Sequence, residues 1–226
     1  MKKLSRNQKL KYFTVINALI FLFTVIVVPI TLIFGSVASQ KDHLPFAYWQ
    51  HIATFTILSN IFMGIIALIA TIYGIRSIKN ERSLPKALNT WYLVATTSVA
   101  LTFITVILYL APSRVLSGKN FFDMLIGPMF FLHFLDPILA IITYIFFFNE
   151  HKATLRDRLL ALIPPILYAI PYILFIAILR IVPDFYGLTF GGRYYLTSLV
   201  ATVFGLLVFG ISSLLSYCHN RQIAIK

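Results

Sequence analysis

Residues that could do chemistry are scarce in this chain, and they fall in two short stretches. The first is Thr54-Phe55-Thr56-Ile57-Leu58-Ser59-Asn60, which sets three hydroxyls and an amide within an apolar run. The second is Leu132-His133-Phe134-Leu135-Asp136-Pro137, with an imidazole and a carboxyl three residues apart inside another apolar run. Residues three or four apart share one helix face, so Thr56 pairs with Asn60 and His133 with Asp136. A threonine hydroxyl is a weak nucleophile that needs a base beside it. His133 could be that base, Asp136 could orient or charge-stabilise the imidazole, and Asn60 could donate to a developing oxyanion. Each piece also has a structural reading. Hydroxyls in apolar helices often bond the carbonyl one turn back, and polar side chains tie membrane helices together. Pro137 has no N–H, which predicts a freed carbonyl one turn back, at His133.

These stretches must be carried by membrane helices. Apolar residues make up 59% of the chain and charged residues 12%, against about half and a quarter in soluble domains. Six runs are long enough to cross a bilayer as helix, which takes about 20 apolar residues. They are placed at about 13–36, 49–75, 89–111, 121–148, 158–181 and 194–217. The expected fold is therefore all-α, one six-helix transmembrane domain over residues 1–226. The first run follows five basic residues but is too long for the apolar part of a signal peptide, about 7–15 residues, and reads as a retained helix.

The net charge of +12 is explained by topology. The N-terminal tail holds five Lys and Arg, the loops after the second and fourth runs four and three, and the C-terminal tail two; the alternate loops hold one, two and two. Fourteen against five puts both termini in the cytoplasm by the positive-inside rule. The basic side meets anionic lipid, and no charge is left that calls for nucleic acid. The expected partners are membrane lipids and a lipid-like substrate, and the expected location is the cell membrane as a multi-pass protein. The lone Cys218 excludes an internal disulfide, and the five histidines have no metal-ligand spacing, so neither metal nor other cofactor is expected.

Depth links the two stretches. Asn60 is 11 residues from Trp49 and His133 is 12 from Phe121, so each lies roughly 16–18 Å from the same side of the membrane. Thr56, Asn60, His133 and Asp136 can line one pocket if the second and fourth helices touch. Thr54 is the alternative threonine. Tyr168 and Tyr172, one turn apart among Pro164, Pro165 and Pro171, mark a kinked fifth helix and either reach that pocket or pack. The aromatic loop at 182–194 reads as an interfacial belt or as the lip of a cavity.

The pieces Phe55-Thr56-Ile57-Leu58-Ser59-Asn60 and Leu132-His133-Phe134-Leu135-Asp136-Pro137, in a short six-span chain, resemble the androgen-induced-protein family. Its members are integral-membrane hydrolases of fatty acid esters of hydroxy fatty acids. The resemblance implies a threonine nucleophile at Thr56, with Thr54 second, and a histidine at His133. It covers about a dozen residues, and the outer loop here departs from the tryptophan- and proline-rich loop of many relatives. Two other readings stand beside it. A proton-coupled carrier would use His133 and Asp136 as a relay, but few polar residues are evident in the inner halves of the spans. A non-catalytic lipid-binding protein would keep His133 satisfied within the bundle.

Overall fold

A backbone inside hydrocarbon has no water to bond, so a spanning segment must satisfy its own N–H and C=O groups, and the helix does so. The computed structural model describes residues 4–40, 54–148, 150–179, 188 and 193–224. Among these residues there is no strand. Six helices are long and apolar enough to cross a membrane: α1 (Arg6–Gln40), α2 (Phe55–Asn80), α3 (Lys86–Leu116), α4 (Pro128–Phe147), α5 (Leu155–Ile176) and α6 (Tyr194–Ala224). By this composition the protein is a multi-pass membrane protein. The first residues expected for the second span, His43, His51 and nearly all of the loop at 182–194 lie outside the described residues.

Two boundaries differ from the sequence expectation for local reasons. The fourth helix starts at Pro128, not at 121. Residues Phe121–Leu125 form a separate 3₁₀ turn capped by the Asn120 side chain. Gly127 then turns with φ of 60°, a conformation that a side chain disfavours, and Pro128 opens the helix where its missing N–H costs nothing. Asp123 sits on the 3₁₀ turn, outside the spanning helix. The fifth helix is broken as its prolines foretell. A first segment, Leu155–Leu160, carries a capping box between Thr154 and Asp157, and the helix resumes at Ile163 ahead of Pro164 and Pro165.

α3 is the central helix. Every residue from Tyr92 to Thr102 is buried, and α2, α4, α5 and α6 all pack on it. A helix covered on all sides has no polar stripe to turn outward, so its hydroxyls and amides must find company inside. α1 and α2 pair through small residues. A Cβ at Gly64 would lie 2.6 Å from Thr24 Cγ2, and one at Gly74 would run into Thr14 Oγ1. Such close approach is how membrane helices gain packing without a hydrophobic driving force.

The ends of the helices are tied at the side that bears both termini, and residues 150–154 are the hub. Glu150 bonds Arg6 at 2.7 Å and also accepts from the backbone N–H of Leu84. His151 Nε2 donates to the Leu84 carbonyl at 2.7 Å. Asn220 makes a two-way pair with the Ala153 backbone, at 2.8 and 2.9 Å. His219 is buried, and its Nδ1 and Nε2 face the carbonyls of Tyr144 at 2.9 Å and His151 at 2.8 Å. Carbonyl oxygens only accept, so the ring nitrogen that carries the hydrogen donates to one of them. The ring stacks on Tyr144 with centroids 4.4 Å apart.

Candidate functional site

The second and fourth helices touch, and the contact is made by residues of both stretches. Asn60 Nδ2 donates to the Leu132 carbonyl at 3.1 Å and to the Thr56 carbonyl at 2.8 Å. Ile57 and Leu132 are buried in one apolar cluster beside it. The reason lies in Pro137. Residues Phe131–Leu135 adopt a π turn, in which the Asp136 N–H reaches the Phe131 carbonyl five residues back. The partner of the next carbonyl, Leu132, would then be the N–H of residue 137, and proline has none. The Leu132 carbonyl is thus left without a backbone donor. The Asn60 amide fills the gap. Both amide hydrogens of Asn60 are committed in this way, and the side chain ties the two helices together.

The four residues expected in one pocket separate around this contact. Thr56 is half-buried and lines a cavity of about 390 Å³ between α2, α3, α5 and α6. His133 is buried, and its Nδ1 bonds the Met124 carbonyl at 2.8 Å. That carbonyl only accepts, so Nδ1 carries the hydrogen and a neutral ring keeps its lone pair on Nε2. The backbone of Met124, on the 3₁₀ turn, therefore orients the imidazole, a role the sequence reading gave to Asp136. Asp136 is buried with neither oxygen bonded within the chain. No hydrogen bond joins Thr56, His133 and Asp136 to one another.

Thr54 is the N-cap of α2, and its hydroxyl accepts from the Ile57 N–H at 3.4 Å, a structural role that its type favours. Ser59 bonds Thr102 of α3 at 3.0 Å. Tyr168 and Tyr172 do reach the cavity that Thr56 lines. Their ring centroids are 6.0 Å apart, and Phe55 meets Tyr168 edge-on at 5.2 Å. The wall is almost wholly apolar. Its polar points include Thr102, Thr105 and Tyr109 of α3, which the sequence reading passed over. Their spacing of three and four residues was a legible sign of one helix face.

Comparison with protein-family models, with curated proteins and with solved structures returns no match. The family resemblance rests on the two motifs and the six-span pattern.

Proposed function

We propose that this protein binds a slender, single-chain lipid in the cavity between α2, α3, α5 and α6. The observation that carries this reading is a cavity of about 390 Å³ with an almost entirely apolar wall and a few hydroxyls. Such a volume lies within the range of small-molecule sites, about 300–1,000 Å³. Apolar wall suits an acyl chain, and Thr56, Thr105 or Tyr109 can hydrogen-bond a head group. Gly205 of α6 provides the test, because it lines the cavity and a Cβ there meets nothing within 4 Å. A free fatty acid or lysolipid added to the purified protein raises its thermal stability, by about 2.7 kcal/mol at a hundred times the dissociation constant. Gly205→Phe fills the space and removes the ligand effect. An unchanged ligand effect in that variant sinks the reading.

A second reading, hydrolysis of a lipid ester, draws support from two features. Thr56 lies on the cavity wall, and the Met124 bond leaves His133 Nε2 as the ring's acceptor. It is the reading implied by the resemblance to the androgen-induced-protein family. In it Thr56 Oγ1 attacks the ester carbonyl, His133 takes the hydroxyl proton and returns it to the leaving alcohol, and water then releases the acyl group. It requires Thr56 and His133 to meet. Turnover of fatty acid esters that is abolished by both Thr56→Ala and His133→Ala supports it, and turnover indifferent to both ends it. The proposed setting is the cell membrane with both termini cytoplasmic, on the asymmetry of Lys and Arg.

A further inference from the structure

The cavity has an open side, and the course of α5 explains it. Near the end that bears both termini, α5 and α6 touch. The Ser212 hydroxyl of α6 shares its hydrogen between the Phe209 carbonyl at 3.0 Å and the Arg158 carbonyl of α5 at 3.3 Å. Among the described residues, α6 packs on the Leu155–Leu160 segment of α5 rather than on the length from Ile163. Pro164 and Pro165 cannot donate to the carbonyls of Leu160 and Ala161, one turn back, and the helix is interrupted there. Beyond the interruption α5 leans on α2 and α3, with Tyr168 edge-on to Phe55. The cavity occupies the space between this length of α5 and α6.

The residues on the two lips show that this space faces outward. Ile166 and Ile170 of α5 and Ala201 of α6 line the cavity, and all three are exposed. Wall residues of a closed cavity between packed helices would be buried. From the Arg158–Ser212 contact, Ile170 is twelve residues along α5 and Ala201 eleven along α6, so both stand roughly 16–18 Å from it, at the same depth. Depth also assigns the leaflet. α6 has 31 residues, about 46 Å, enough to cross a bilayer with its head groups. Its part of the wall runs from Thr197 to Val208, roughly 4–21 Å below Tyr194, which is the half away from the termini.

We infer that a single-chain amphiphile enters the cavity sideways, from the leaflet opposite the termini, through a slot between α5 beyond Ile163 and the Thr197–Val208 stretch of α6. The inference rests on the lipid-cavity reading and adds the source of the ligand and its route. Tyr109 and Thr197 stand at the outer end of the wall and Val208 at the inner end, so the head group stays near the interface and the tail points inward. Drawing an acyl chain through water would cost about 0.8 kcal/mol per methylene, and a slot that faces hydrocarbon avoids this. The inner ends of α5 and α6 stay joined, so the site exchanges with one leaflet only.

The slot can be strapped shut. Ile170→Cys and Ala201→Cys, in a Cys218→Ser background that removes the one native thiol, are bridged in detergent by a bifunctional methanethiosulfonate and freed again by a thiol reductant. The full chain is then returned to vesicles and exchange of a fluorescent fatty acid is followed. Fatty acid bound before the strap is attached is expected to leave severalfold more slowly than after reduction, and empty strapped protein to load severalfold more slowly. Exchange at one rate with and without the strap overturns the slot while leaving the lipid cavity in place. Failure of the wild-type chain to take up fatty acid at all removes the cavity reading, and the slot with it.

Discussion

The bond from Asn60 to Leu132 can be broken in two ways, and the two must interact. Asn60→Leu removes the donor that reaches the Leu132 carbonyl at 3.1 Å. The Thr56 carbonyl keeps the Ser59 hydroxyl at 3.1 Å, so one carbonyl is left bare. A bare buried acceptor costs about 1–3 kcal/mol. The change also deletes Asn60 Oδ1, which is buried with no partner in the chain, and so recovers part of that cost. The net loss is about 1–2 kcal/mol, a fall in melting temperature of about 2–8 °C for a chain of this size. Pro137→Ala restores an N–H five residues after Leu132, where the π turn needs it. In that background Asn60→Leu costs little, and the two changes couple by about 1–2 kcal/mol in a double-mutant cycle. Thermal unfolding in detergent, followed by circular dichroism, reads all four proteins. An equal cost of Asn60→Leu in both backgrounds refutes the argument that Asn60 serves the carbonyl freed by the proline.

Two other perturbations probe the frame around the site. Gly74→Ala drives a Cβ into Thr14 Oγ1 and lowers stability by an overpacking cost of about 1–3 kcal/mol. The same change in a Thr14→Ala background is close to neutral, as paired melting curves will show. His219→Phe keeps the stack on Tyr144 but removes the ring N–H from between the Tyr144 and His151 carbonyls, a loss of about 1–3 kcal/mol for a buried bond. Hydrogen exchange at residues 144–153 and 215–222 is expected to rise together, and unchanged exchange contradicts the role given to the ring.

The six spans were legible because lipid leaves a chain few choices, and a long apolar run with flanking charge is enough to read one. The contact between the second and fourth helices was half legible. Asn60 and Pro137 both stood out, but the link between them depends on a π turn, a shift from i+4 to i+5 bonding that sets the proline against the Leu132 carbonyl. No residue pattern announces that shift. Thr56 and His133 lie on the two helices that meet, yet one faces a cavity and the other a backbone carbonyl of the 3₁₀ turn. Depth along a helix can be counted from sequence, whereas rotation about its axis is set by packing. α3 was underread for a different reason. Its polar residues point in every direction, so no stripe marks them, and only its central position makes them a buried set.

The lipid cavity is tested most directly by a photoactivatable fatty acid, cross-linked to the protein in vesicles and mapped by mass spectrometry. The account predicts adducts on cavity residues such as Thr105, Tyr109 and Ala169, competed by unlabelled fatty acid and lost in Gly205→Phe. Adducts confined to outward-facing residues such as Leu108 and Leu206, equal in wild type and Gly205→Phe, would contradict it.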